Sequence, residues 1–435
     1  MSAHTVALLV LDLAVIAAVA QLLSRLARHL GQPPVIGEIL GGILLGPTLF
    51  GGAVTRTLFP AAVLPSLTAL ANIGVGVFMF LIGVELDRNL LRGQGRVAAG
   101  VAASAIIVPF TLGVVLALYL YSHHPGPSRT AFVLFLGTAM AVTAFPVLAR
   151  ILADRGLLRT PIGALALACA SLDDILAWSL LAVVAAIASS VAGLWRIALI
   201  VPFAAVLLLV VPPLLARLAR RLDALDRDDR APDRDDRRWA RVPVWAAAVA
   251  MIGAGLWLSA QATQWMGLHL IFGAFLFGVV IPREHAVRLR EWVIPKVRGV
   301  CAVLLLPVFF MAAGLNVNLS NLNAAAFGEL GLILLVAIGG KGLGAYTGAR
   351  FSGVRVRHSA VLAILINTRG LTELIVLTVG RQLHVLDARL YSLMVVMALV
   401  TTAMTGVLLR LVYPEARAQA DMAPRATVSG TEAMS

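Results

Sequence analysis

The chain has 435 residues, of which 60% are hydrophobic and 13% charged, and its mean hydropathy is +0.93. A soluble domain is nearer half apolar and a quarter charged, so this composition excludes an ordinary water-soluble globule or a disordered chain and points to a bilayer as solvent. The 35 Lys and Arg exceed the 22 Asp and Glu by a formal charge of +13; they lie between apolar runs rather than on one amphipathic face, which argues for membrane topology and against a nucleic-acid partner.

In chain order, Val6 to Leu23 is apolar apart from Asp12 and Gln21. Ala18-Val19-Ala20 looks like a processing site, but no Lys or Arg precedes the run, while Arg25 and Arg28 follow it. It therefore reads as a first membrane helix with its N-terminus outside, not as a signal peptide. Further apolar stretches of spanning length are predicted at 35–49, 64–84, 97–119, 132–152, 162–188 and 194–215. A second series falls at 244–260, 268–281, 300–315, 330–349, 360–379 and 390–411, about thirteen spans in all. The predicted fold class is an all-α polytopic membrane protein. Residues 413–435 read as a short disordered cytosolic tail. Cys169 and Cys301 both fall in apolar runs, so neither a disulfide framework nor a CxxC metal site is expected.

Sorting the basic residues tests the direction. With the first helix entering from outside, the inner segments collect Arg25, Arg28, Arg88, Arg92, Arg96, Arg150, Arg155, Arg159, the stretch Arg217 to Arg241, Arg283, Arg288, Arg290, Lys296, Arg298, Arg350, Arg355, Arg357, Arg410, Arg417 and Arg425. The outer loops keep only Arg56, Arg129, Arg196, Arg381 and Arg389. Basic residues resist translocation, so the asymmetry supports both count and orientation, with the C-terminus cytosolic. The stretch Asp223 to Arg241 alternates acid and base and reads as a solvated linker, with cation sensing as the sharper alternative.

The chain also repeats. Phe78 to Asp87 aligns with Phe309 to Asn318 at an offset of about 231 residues, which places the fifth span on the twelfth. An odd number of crossings separates the two starts, so the halves are inverted in the bilayer, a pattern of transporters.

A charge at mid-bilayer costs about 2.5 to 3.5 kcal/mol on the lenient scale, so intramembrane ions are functional candidates. Asp173 and Asp174 stand side by side in the sixth span and point about 100° apart, toward different partners. Lys341 in the eleventh span is the expected cation for one of them, either as a plain helix tie or as a pair that breaks when the acid is occupied. Gly137, Thr138, Thr143 and Pro146 suggest an unwound fifth span with free carbonyls and hydroxyls, though a proline kink alone would explain them. In the matching twelfth span, Asn367 to Glu373 suggests a second break, with Arg369 and Glu373 paired four residues apart to balance it without touching a transported ion. Asp12, Glu38 and Glu85 lie nearer span ends, where snorkelling or interhelical hydrogen bonds suffice. His269 and an exposed pair, His123 and His124, read as interfacial rather than as ligands.

Three segments carry a resemblance: Gly31 to Pro47, reading GQPPVIGEILGGILLGP; Thr143 to Arg150, reading TAFPVLAR; and Asn367 to Ile375, reading NTRGLTELI. With the Asp pair, they make the chain similar to monovalent cation/proton antiporters of the second cation/proton antiporter family, sodium/hydrogen exchanger-like, and the second and third segments especially resemble the plant-type cation/proton exchanger branch. The resemblance covers roughly residues 6–412 and implies a transmembrane exchanger domain there. It implies panel helices at 6–84 and 244–315, a linker helix at 194–215, and core helices at 97–188 and 330–411 with two crossing discontinuous helices. It also implies a homodimer, elevator-type movement, and no enzyme activity or cofactor beyond the transported Na+ or K+ and H+. By position, Asp174 binds cation and proton in turn and Asp173 pairs with Lys341. Thr143 and Thr138 line the site, and Arg369 and Glu373 compensate charge. More than one proton per cation is expected. The alternatives are a sodium-coupled organic anion carrier of the same architecture and an intramembrane aspartyl hydrolase. The hydrolase needs two acids converging from separate segments, which adjacent residues on one helix do not do.

Overall fold

In lipid a single apolar run satisfies its backbone only as helix, and among the described residues each predicted stretch contains helix in the computed structural model. The structure describes residues 3–49, 52–85, 95–157, 160–188, 199–217, 241–266, 270–281, 293–320 and 323–413. The linker after Asp223, Asp87, His269, the tail after Tyr413, and Arg88, Arg92, Arg159, Arg196, Arg283, Arg288 and Arg290 lie outside the described residues, as do the side chains of Glu85, Pro146 and Arg150.

The helices are α1 (Ala3–His29), α2 (Pro34–Leu45), α3 (Ala53–Leu58), α4 (Leu64–Glu85), α5 (Gly95–Leu120), α6 (Arg129–Ala141), α7 (Phe145–Asp154), α8 (Pro161–Ala188) and α9 (Ile200–Leu209). They continue with α10 (Arg241–Trp265), α11 (Leu270–Val279), α12 (Ile294–Val300), α13 (Leu306–Leu315), α14 (Ala324–Phe351), α15 (Val356–Ile366), α16 (Leu371–Gln382) and α17 (Ala388–Val412). A widened π turn, Cys301–Leu305, joins α12 to α13. Among the described residues, seven helical stretches are long and apolar enough to cross a membrane: α1, α4, α5, α8, α12 through α13, α14 and α17. Shorter apolar helices include α2, α6, α11 and α15.

The closest packing falls into two sets. In the first, α2 lies against α1 and α13, and α11 lies against α10 and α4; in the second, α5 lies against α14, α6 and α8, with α15 and α17 behind. The first set repeats one contact twice. A Cβ on Gly37 would stand 2.2 Å from the Leu23 carbonyl oxygen of α1, and one on Gly273 would stand 2.0 Å from the Ser259 carbonyl oxygen of α10. Further along the same helices, a Cβ on Gly42 would meet the Met311 carbonyl of α13 at 2.4 Å, and one on Gly278 the Phe80 carbonyl of α4 at 2.1 Å. The glycines facing them are Gly314 and Gly83, which are equivalent in the sequence repeat. Each half of the chain thus docks its second helix on the other half.

Both expected breaks are present, with one shift. Gly137 and Thr138 remain helical, and the chain is extended only between Ala141 and Phe145. Pro146 falls in the first turn of α7, where a missing N–H costs nothing, so the proline starts the second half-helix and does not kink a continuous one. The second break runs between Ile366 and Leu371 and includes Gly370 at φ 151°, a backbone that favours glycine. The breaks cross, with the Ala144 N–H donating to the Thr368 carbonyl at 3.0 Å.

Two sequence expectations are corrected. His124 is not exposed like its neighbour His123 but is 4% accessible, because α14 and α17 cover the loop after α5. Asp12 does not snorkel or bond across helices: it is 1% accessible, and neither carboxylate oxygen has a hydrogen-bond partner. Glu38 does accept an interhelical bond, from the Ser24 hydroxyl at 3.0 Å.

Candidate functional site

α8 carries Asp173 and Asp174 into the crossing, 1% and 3% exposed. Lys341 of α14, wholly buried, donates to Asp173 Oδ2 at 2.6 Å. Its remaining donors meet the Ala105 carbonyl of α5 at 3.1 Å and the carbonyl of Ala141, the last residue of α6. Thr143, inside the first break, donates to the same Asp173 oxygen or to the Ile366 carbonyl, 3.0 Å away at the end of α15. Asp173 is therefore the knot that ties α8 to α14 and to both breaks.

Arg369, inside the second break and also fully buried, closes the other side. Its guanidinium donates to the Ala139 and Met140 carbonyls at 2.7 and 2.6 Å and to Glu373 Oε2 at 2.9 Å. The last carbonyls of a helix lack partners within it and carry the negative end of its dipole. Interrupting a helix in the membrane creates such an end where no water can satisfy it, and Lys341 and Arg369 supply both donors and positive charge to the end of α6. Glu373 does the converse in the first turn of α16. Thr402 of α17 fixes the break by donating to the Arg369 carbonyl at 2.7 Å.

The charges leave a remainder. Asp173 is paired with Lys341 and Glu373 with Arg369, whereas Asp174 has no salt-bridge partner among the described residues. Asp174 Oδ1 is buried with no hydrogen-bond partner, as are Asn367 Oδ1, Thr368 Oγ1 and Trp178 Nε1. Asp173 Oδ1, Glu373 Oε1 and Arg369 Nε are likewise without one; an unmet buried polar group costs about 1–3 kcal/mol, so each calls for water, a proton or an ion to complete it. A donor set of carboxylate, hydroxyl and carbonyl oxygens suits a hard cation and not a soft transition metal. Among the described residues, no three His, Cys, Asp or Glu side chains converge as a metal centre.

Trp178, one turn beyond Asp174, packs edge-on against Phe272 of α11 at 6.2 Å between ring centres and so touches the first helix set. Beside the crossing, a cavity of about 440 Å³ separates the two sets, walled by Pro33, Glu38, Phe145, Val147, Arg298 and Phe310 among others. Thr138 stands apart from the knot, since its hydroxyl donates back to the Leu134 carbonyl at 2.7 Å. Sequence reasoning did not assign Thr402 to the site, and it left the carbonyls of the fifth span free for an ion, whereas those of Ala139, Met140 and Ala141 accept from Arg369 and Lys341. A helix end inside a bilayer was the available signal, since it demands donors from somewhere.

With this geometry in hand, comparison with known proteins is informative. The transmembrane sodium/hydrogen exchanger family matches residues 14–413. The cyanobacterial Na(+)/H(+) antiporter NhaS4 of Synechocystis is 36% identical, over 95% of this chain and 99% of its own length. Cation/H(+) antiporter 20 of Arabidopsis thaliana is 37% identical over 94% of this chain and 49% of its own, so the chain spans about half the length of such plant relatives. K(+)/H(+) antiporter 1 of Saccharomyces cerevisiae is 32% identical over 88% of this chain and 44% of its own. In fold, the sodium proton antiporter MjNhaP1 of Methanocaldococcus jannaschii superposes with a TM-score of 0.64 at 18% identity, over 95% of this chain and 99% of its own.

Proposed function

The chain belongs to the sodium/hydrogen exchanger family, and from that premise we propose that it exchanges a monovalent cation, sodium or potassium, for protons across the cell membrane, with Asp174 holding cation and proton in turn. The observation that carries the reading is the electrostatic remainder at the crossing: Asp173 and Glu373 each have a salt-bridge partner, and among the described residues Asp174 has none.

Coupling needs only competition at that carboxylate. A bare charge resists burial, and either a proton or a cation relieves the penalty, so each excludes the other. If α5–α8 and α14–α17 form a core that slides against a panel of α1–α4 and α10–α13, with α9 as the link, a bare Asp174 makes the crossing costly and a filled one makes it cheap. The dense packing within each set and the cavity between them support that division. By the positive-inside count, the Arg298 side of the cavity is cytosolic, so the ion enters there from the cytosol. Thr143 contributes oxygen atoms, with Thr138 further up α6. Arg369 and Glu373 hold the breaks. Asp173 and Lys341 act as a second, paired proton relay, which gives more than one proton per cation. The panel helices provide the face for a homodimer.

The test is purified protein in liposomes with an internal pH dye and an imposed proton gradient, supplied with sodium, potassium and then choline. Proton movement triggered by one metal ion, absent with choline and in Asp174→Asn, is the expected result. Normal exchange by a folded Asp174→Asn overturns the site. Silence of the folded wild type toward every cation overturns the antiport reading and favours a sodium-coupled organic anion carrier.

A further inference from the structure

The loop from α5 to α6 holds a second ionic cluster, far along α14 from Lys341, in which His124 and Glu329 are buried while Asp387 and Arg389 reach the surface. The His124 imidazole lies with Nδ1 2.5 Å from Asp387 Oδ2 and Nε2 3.2 Å from Glu329 Oε2. Asp387 also caps α17, its Oδ1 accepting from the Leu390 N–H at 2.7 Å. Glu329 is in the second turn of α14 and meets Arg389 of α17 at 3.3 Å; Arg389 also donates to Asn323, the cap of α14, at 3.2 Å.

A neutral imidazole has one N–H and one lone pair. With a carboxylate oxygen at each ring nitrogen, a neutral ring satisfies one and turns its lone pair on the other, whereas the imidazolium satisfies both. The charges balance the same way: two carboxylates face Arg389 and one more positive charge, which the ring supplies. The carboxylates lie at opposite nitrogens and so do not join one ring nitrogen around a shared metal ion. The ligand this geometry takes is a proton.

We propose that His124, Glu329 and Asp387 form a second proton site, separate from Asp174, through which the pH on the loop side sets the rate of exchange. The loop of His124 leads directly into α6, and Asp387 ends the turn that leaves α16. The cluster therefore clamps the outer ends of the two half-helices whose other ends make the crossing at Thr143 and Arg369. Protonated, it fixes their axes; deprotonated, it sets a lone pair against a carboxylate and lets the ion site lose its shape.

The other charged groups nearby are His123, Arg129, Arg381 and His384. On the loop side, His123 contacts Ser122, and Arg129 lies over the Tyr121 ring; at the end of α16, Arg381 lies over the Tyr391 ring, and His384 stands in the turn at φ 55°. Burial opposes the His124 charge, but the hydrogen bonds and charges of Asp387 and then Glu329 outweigh it and hold the imidazole above its ordinary 6.5. Burial pushes the Asp387 carboxyl up, but the bonds from His124 and the Leu390 N–H outweigh it and hold it below its ordinary 3.8. Both signs agree. The His124 contribution is complete below 6.5 and is lost as pH rises through the raised value, while that of Asp387 is lost only as pH falls below 3.8.

The experiment compares the purified full chain with Glu329→Gln, which weakens proton binding, and His124→Arg, which keeps a positive charge at every pH. Thermal unfolding in detergent is followed from mildly acid to strongly alkaline pH, and exchange is followed in liposomes with pH set separately on each side. The alkaline fall in melting temperature should move down by about one pH unit or more in Glu329→Gln and vanish in His124→Arg. The alkaline decline of exchange should move in step, and only with pH on the loop side. An identical alkaline midpoint for all three proteins overturns the site. Melts that shift while exchange ignores loop-side pH overturn its control of transport. The proposal rests on the antiport reading for its transport readout alone: if no protein exchanges ions but the melts shift as described, the proton site stands and the antiport reading fails.

Discussion

The two helix sets share one kind of contact and differ in a second. Around α2, α4, α11 and α13, backbones meet at glycines, and nothing at those contacts titrates or binds. Around α5, α6, α8, α14 and α16, glycines seat backbones too, a Cβ on Gly344 of α14 meeting the Ser104 carbonyl of α5 at 2.4 Å, but buried charges on carbonyl oxygens and carboxylates are added to them. The first kind of contact has one energy whatever the solution holds. The second depends on who owns each proton, which is what a device driven by protons requires of its moving part and what its support must avoid.

That contrast is open to breaking. Arg369→Ala should have the largest effect, because it leaves Glu373 and two helix-end carbonyls unmet at once; a loss of about 3–5 kcal/mol is expected, visible as a collapsed melting temperature, and a wild-type melt would refute the capping role. Lys341→Ala should cost somewhat less, about 3 kcal/mol, because Asp173 keeps Thr143 and can take up a proton. It should also change the charge moved per cycle, which voltage-driven exchange reports. Gly314→Ala should cost about 1–3 kcal/mol through overpacking against α2, and by the same amount with or without cation and at any moderate pH. A Gly314→Ala penalty that varies with cation would erase the distinction between the sets. Thr143→Val should be smallest, about 1 kcal/mol of stability, with a weaker apparent cation affinity measured as a raised half-saturating concentration.

Much of this was legible in the sequence because the membrane makes charges conspicuous. Asp173, Asp174, Lys341, Arg369 and Glu373 stand out against apolar neighbours, and the Asp173–Lys341 and Arg369–Glu373 pairs are present as read. The placement of the first break was less legible, since Gly137 and Pro146 both looked like its cause while the extended residues are Val142 to Ala144. Arg369 was read as stabilising its own break with Glu373, and its acceptors at the end of the other broken helix were not foreseen, because carbonyls bring no side-chain signal. His124 was misread for a related reason: in a loop, burial is decided by what folds over it, and Glu329 and Asp387 come more than two hundred residues later.

The swapped glycine contacts constrain how the chain is built in time. Gly42 on α2 finds its seat only against α13, which is synthesised long after α2 has left the ribosome. Until then α2 has α1 against Gly37, but its Gly42 side has only lipid or the insertion machinery for company. Assembly of the first helix set is thus a late, long-range event, and a chain interrupted before α13 strands a helix whose docking partner does not yet exist.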